Sequence, residues 1–401
     1  MKKIMTCAAA LSVGATMAMA DMTNGEITVV VLTDMSSSYS DTSGRGSVAG
    51  AELAVEDFAR EHPDIKVRVL NADHQNKADI GVLKAREMID TQGADVFVDI
   101  SNSAVSLAVQ SIARDADRAV IHVGSATAAI FGEACSPTGA MWLYDTDSLS
   151  EGLGRAIIAE GGDSWFFISA DYAFGKAMEA SMTRILGEMG GTVKGAVRHP
   201  INNTDYSSFV LQAQESGAKV VGFFNASGDT VNSLKAAGEF GLAQQGQKMA
   251  APLFYIQSAK AVGPELAQGL QYMAGYYWDR DEPSRAFAKR FSEKMGGGVP
   301  SEAHAGTYSA TLHYLRAAAE AQTDSGKAVM AKMKEMPVDD FFAPGAMVRA
   351  DGRLQNDMYL VEVKSPSEIT GEWDILKVIR TMPAKEILVP LEKSKCPLVT
   401  N

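Results

Sequence analysis

Ile27-Thr28-Val29-Val30-Val31-Leu32-Thr33 is apolar almost without interruption. A strand with one wet face alternates apolar and polar residues, whereas a strand covered on both faces reads as one apolar run. This stretch therefore predicts a strand in a parallel sheet with helices on both sides. The residues that follow agree. A helix is expected over 47–60, with Val48, Ala51, Leu53, Val55 and Phe58 on its apolar positions and Pro63 ending it. A strand follows at 66–70, a helix at 77–91, a strand at 96–100, a helix at 104–113 and a strand at 119–123. Strand and helix in strict alternation require parallel pairing through helical crossovers.

After a loop at 132–139, rich in small residues, the alternation starts again. Strands are expected at 164–169, 192–197, 219–224 and 252–256, with helices at 174–189, 207–216 and 230–240. Gly190-Gly191 and Gly217 stand where helices end. A strand at 272–278 then leads to helices at 284–295, 303–321 and 328–336. Strand pieces at 346–349, 358–363 and 373–379 close the chain, returning to either lobe. The fold class is α/β, with two similar doubly wound parallel-sheet lobes. The expected division is 21–143 with 273–356 in lobe 1 and 144–272 with 357–385 in lobe 2. The tail, 386–401, is tied back towards lobe 1.

The 401 residues carry 37 basic and 49 acidic side chains, a net charge of −12. With no basic block, such a chain is a poor partner for nucleic acid, because phosphate contacts need clustered Lys and Arg. It is read as a monomer. Lys2 and Lys3, the apolar stretch 4–17 and Ala18-Met19-Ala20 form the three parts of a secretory signal, residues 1–20, cleaved after Ala20. The compartment is then the periplasm. Cys7 leaves with the signal, and Cys135 and Cys396 remain. Two cysteines in an oxidising compartment predict one disulfide, with two separate buried thiols as the alternative.

Catalytic motifs are missing. Gly44-Arg45-Gly46-Ser47-Val48-Ala49 has the letters of a dinucleotide fingerprint, but it starts some ten residues after the strand, too late for the tight turn that fingerprint needs. There is no phosphate-binding P-loop and no G-x-S-x-G elbow. The six histidines show no metal-ligand spacing. His122, ending a core strand, reads as a core residue. No cofactor and no metal are expected.

Three stretches belong together: Val29–Ser36 with Gly44 or Gly46 and Gly50-Ala51-Glu52-Leu53-Ala54, then Val120–Thr127, then Asp171-Tyr172-Ala173-Phe174-Gly175. In their order and spacing they resemble the type I periplasmic binding proteins, in particular the leucine/isoleucine/valine-binding branch. The resemblance implies a hinge and an interlobe ligand cleft, with two lobes that close over a small solute and deliver it to the membrane permease of an ABC importer, without catalysis. It places Asn102 and Ser103 at the ligand carboxylate, and Ser125, Ala126 and Thr127 in the turn that presents a carbonyl, an N–H and a hydroxyl. Tyr39 caps the pocket, Tyr172 and Phe174 line it from the second lobe, and Asn225, Ala226 and Gln257 face the cleft. The alternatives are an exported two-domain α/β enzyme, and a sensor of the same fold acting on a receptor. One departure bears on the ligand. Where amino-acid-binding relatives place a Glu against the α-ammonium, the chain reads Phe254-Tyr255-Ile256-Gln257-Ser258-Ala259. Asp229 could take over from the neighbouring loop. Tyr39, Tyr172, Phe174 and Trp278 offer an aromatic wall. The expected solute is a small carboxylate or other polar organic molecule, aromatic or not, lacking a free α-amino group, with a plain branched-chain amino acid as the alternative.

Overall fold

The computed structural model describes Thr23 and residues 25–399. The signal segment, its cleavage site and the mature start at Asp21 lie outside the described residues.

The first alternation folds as read. It comprises β1 (Ile27–Thr33), α1 (Gly44–Glu61), β2 (Val67–Asp73), α2 (Ala78–Gln92), β3 (Val96–Asp99), α3 (Ser103–Asp115) and β4 (Ala119–His122). A short strand, β5 (Gly139–Met141), extends the sheet. All pairings are parallel, in the order β2-β1-β3-β4-β5. Every residue of β1 is buried, as its unbroken apolar run requires.

The chain then enters the second lobe through α4 (Thr146–Leu149), a π-helical turn at Ser150–Gly154 and α5 (Arg155–Ala159). Next come β6 (Ser164–Ala170), α6 (Ala173–Glu188), β7 (Thr192–His199), α7 (Ser207–Glu215), β8 (Val220–Phe224), α8 (Ser227–Glu239) and β9 (Lys248–Ala250). Their sheet is also parallel, in the order β7-β6-β8-β9. The strand expected at 252–256 is displaced. Pro252 has no N–H to give a ladder, pairing stops at Ala250, and Ile256 already opens α9 (Ile256–Val262).

After α10 (Pro264–Ala267), β10 (Gln271–Ala274) ends four residues sooner than expected. Helices α11 (Glu282–Met295), α12 (Glu302–Ala321) and α13 (Gly326–Glu335) return to the first lobe. There α12 lies so close to α1 that a side chain at Gly50 would strike the His304 carbonyl. The last strands, β11 (Met358–Val363) and β12 (Leu376–Met382), do not join either parallel sheet. They form a separate antiparallel sheet, β10-β11-β12. Residues 346–349 contribute only an isolated bridge, Val348 to Leu354. The helix α14 (Ala384–Ile387) follows, and the expected Cys135–Cys396 disulfide is formed, with a Cα–Cα distance of 5.5 Å.

The main chain crosses between lobes after β5, after β10 and before β11. The crossings are tied together. Arg353 Nε donates to Asp145 Oδ2 at 2.8 Å, and the Arg353 and Asn356 side chains both donate to the Leu143 carbonyl. The buried Glu302 carboxyl meets the Gly275 N–H of the second crossing.

Candidate functional site

A parallel sheet with crossover helices sends every strand's carboxyl end, and every following helix's N-terminus, to one edge. Here the two sheets turn those edges towards each other. Between them lies a cavity lined by Tyr39, Thr42, Ser43, Ser101, Ser103, Gly124 and Ala126 from the first lobe. Tyr172, Phe174, Ala226, Ser227, Leu253 and Tyr255 line it from the second. The free volume is about 10 Å³, the scale of a single water. The lobes are shut.

Hydroxyls hold them shut. Tyr39 Oη donates to Tyr172 Oη at 3.0 Å, and Thr42 Oγ1 and Ser227 Oγ are 2.6 Å apart. Tyr144 and Tyr255 share a short hydroxyl contact. The Gly228 N–H donates to the Ser38 carbonyl at 3.0 Å. Burial raises the pKa of Tyr39, Tyr144 and Tyr255 well above a free phenol's, so all three stay neutral and keep a proton to donate.

Four helices begin at this cavity. Ser43 precedes α1, Ser103 opens α3, Tyr172 precedes α6 and Ala226 precedes α8. Each helix brings the positive end of its dipole. Among the described residues, Lys, Arg, Asp and Glu are all absent from the lining. The approach of α6 depends on Gly175, where a Cβ would collide with the Ala170 carbonyl.

Six of the expected residues line the cavity: Tyr39, Ser103, Ala126, Tyr172, Phe174 and Ala226. The other five are placed elsewhere. Asn102 caps its own helix, its Oδ1 accepting from the N–H groups of Ala104 and Val105. Ser125 accepts from Ser106 at 2.8 Å. Thr127, on the far side of the same turn, faces a second interlobe space. Asn225 Nδ2 is within hydrogen-bonding distance of His199 and donates to Ser233. Gln257 Nε2 donates to the Val299 carbonyl at 3.0 Å. Trp278 donates to the Trp373 carbonyl, outside the cavity.

Thr42, Ser43, Ser101, Ser227 and Tyr255 were not anticipated. Small hydroxyl residues at helix starts were the available signal for four of them. Asp229 does not supply the missing counter-charge. It accepts from Tyr206 Oη at 3.0 Å and from the Asn202 N–H at 3.2 Å, and it does not reach the cavity.

One carboxyl lies just behind the floor. Asp99 ends β3 in the left-handed region (φ 73°) and is followed by Ile100 in the same region (φ 54°). A β-branched residue there is strained. Both Asp99 oxygens are buried, with no donor in hydrogen-bonding geometry among the described residues. Burial raises its pKa to about 6, partly offset by the nearby hydroxyls of Ser47, Thr33 and Ser43. His122 is a core residue, as read. Its Nε2 sits 2.8 Å from Gln110 Oε1, and burial lowers its pKa to about 3.

Comparison with known proteins places this arrangement. A periplasmic binding protein family model matches residues 26–368. A crystal structure of a periplasmic binding protein from Burkholderia mallei is 40 % identical, covering 94 % of this chain and all of that one, with a TM-score of 0.91. A periplasmic ligand-binding protein of a branched-chain amino acid ABC transporter from Burkholderia xenovorans is 36 % identical, covering 93 % of this chain and all of that one, with a TM-score of 0.81. A Leu/Ile/Val-binding protein homologue from Brucella melitensis is 26 % identical over 92 % of this chain and 95 % of its own length. Two facing lobes, a shut cavity at their strand ends and a match over most of the chain give one conclusion: the chain belongs to the periplasmic binding proteins, a non-enzymatic family that binds solutes.

Proposed function

We propose that this protein binds a small organic acid lacking a free α-amino group in the periplasm, as a monomer, and hands it to the permease of an ABC importer. The observation that carries this reading is the sign of the cavity. Four helix N-termini converge on a lining with no carboxylate, so a carboxylate gains and a buried ammonium meets no carboxylate in the lining. Tyr39, Tyr172, Phe174 and Tyr255 give the remainder of the solute an aromatic wall. The shut cavity is too small for any such solute, so entry requires the lobes to part and closure requires them to rejoin around it.

Relatives named for leucine, isoleucine and valine make a branched-chain amino acid the competing solute. Proteins sharing only the fold, at 18 % and 19 % identity, hold benzoate and 4-hydroxybenzoate. Calorimetry with leucine, valine and a panel of aliphatic and aromatic acids tests the proposal. One or more acids are expected to bind, with scattering showing a smaller radius of gyration on binding. Micromolar binding of leucine, with no response to the acids, overturns the acid reading and leaves the family assignment intact.

A further inference from the structure

The three main-chain crossings are not the only covalent links between the lobes. The tail leaves the second lobe at Ile387, buried where α14 packs on α4 and the π-helical turn. Two residues later it is on the first lobe. The Val389 carbonyl accepts from Arg349 Nη1 at 2.7 Å, and Ser394 Oγ donates to Asp351 Oδ2 at 3.2 Å. Arg349 and Asp351 belong to the first lobe, because Met141 of β5 bridges Arg353 and its N–H donates to the Gly352 carbonyl. The Cys396–Cys135 bond then fixes the tail to the loop between β4 and β5. That loop is itself held to α3 by Gln110 Nε2, which donates to the Ala134 carbonyl at 2.6 Å.

We propose that the tail is a fourth crossing, closed by the disulfide, and that its length limits how far the lobes open. Only Leu388 separates the last anchor on one lobe from the first anchor on the other. Beneath the tail a cavity of about 270 Å³ lies between the lobes, with Thr127 and Glu133 on one side and Ala177 and Arg184 on the other. Opening that widens this space must therefore stretch the tail or peel it from its anchors. The hydrogen bonds at Arg349 and Asp351 can break and re-form, but the disulfide cannot. Holding the apo ensemble near the shut form reduces the ordering that closure needs, which favours tight binding of a solute.

The inference rests on the hinge motion of the proposed function but on no particular solute. It is tested on solute-free protein with ketone-bearing residues at the exposed Leu83 and Leu211, one on each lobe, joined to nitroxides and measured by pulsed electron–electron resonance. Three forms are compared: the native chain, Cys135→Ser with Cys396→Ser, and the native disulfide with Gly-Ser-Gly-Ser inserted after Leu388. The insertion keeps the bond and lengthens the strap, so it separates reach from fold stability. Both altered forms should show a broader distribution, with the mean moved outward by more than about 2 Å. Open and shut populations that are the same in all three forms overturn the strap and leave the hinge standing. Widening in the serine variant but not in the insertion overturns length as the restraint. A single short distance in every form overturns strap and hinge together.

Discussion

Arg353 Nε and Asp145 Oδ2 lie 2.8 Å apart with both side chains essentially inaccessible. They join the third lobe crossing to the first. The carboxylate is shared, because Asp145 Oδ1 also accepts from the Asp147 and Ser148 N–H groups and so caps α4. The guanidinium is shared too, with donors to the Leu354 and Leu143 carbonyls and to Asn356.

Removing one partner of such a pair leaves a buried charge alone, at a cost of roughly 3–5 kcal/mol. Arg353→Met should lose about that much in urea denaturation. Asp145→Asn added to it should recover part of the loss, because the orphaned charge is gone. A loss below about 1 kcal/mol for Arg353→Met would mean that the crossing is wet and the pair screened.

The Tyr39–Tyr172 bond spans the cavity and exists only with the lobes shut. Tyr39→Phe keeps the ring and removes the donor. A net hydrogen bond contributes about 0.5–1.5 kcal/mol, so solute affinity should fall by roughly two- to tenfold. Calorimetry against any acid that binds the native chain reads this directly. An unchanged affinity would show that the two hydroxyls do not meet in the bound form.

Two buried groups should give stability opposite slopes with pH. The Asp99 pKa rises to about 6 in the fold, against about 3.9 unfolded. Between those values the folded chain holds the extra proton, so its contribution is full below about pH 4 and is lost as pH rises to about 6. That amounts to roughly 3 kcal/mol. His122 falls to about 3, from about 6.5 unfolded. It stays neutral in the core, and stability is lost as pH falls from about 6.5 towards 3. Asp99→Asn should therefore gain on the native chain as pH rises from 4 to 7, and His122→Gln should gain as pH falls. Urea midpoints at pH 4, 5.5 and 7 separate the two. A constant offset for Asp99→Asn would mean that its carboxyl titrates normally.

Period and apolar run length made the two parallel sheets legible, because β1 and β6 have to be buried on both faces. They could not reveal the separate β10-β11-β12 sheet, since a short strand does not announce its partner. Nor did they reveal α4, the π-helical turn and α5. Gly152 and Gly154 look like helix breakers, yet a Cβ at either would meet Met273 or Met182, so they are there for close packing. At the site, polar residues after a strand have two uses that sequence does not separate. Asn102 and Ser103 are neighbours; one turns back to cap α3 and the other lines the cavity. Gln257 was misplaced for a plainer reason. Pro252 ended the ladder earlier than the apolar run implied, and the chain had turned into α9 before reaching it.

The sign of the cavity can be reversed with one residue. Ser227 opens α8 and stands opposite Thr42 across the closed cleft. Ser227→Asp would add a carboxylate to a lining that has none. Two like charges about 5 Å apart, at an effective dielectric of about 20, repel by roughly 3 kcal/mol. Affinity for an organic acid should fall about 100-fold, whereas Ser227→Asn, of similar size and neutral, should cost far less. An amino acid would respond differently, because its ammonium would gain the partner that the native cavity denies it. Calorimetry of both variants against the tightest acid and against leucine distinguishes these cases. Equal losses for Asp and Asn would mean that size, not charge, governs this wall, and would remove the electrostatic basis for the acid.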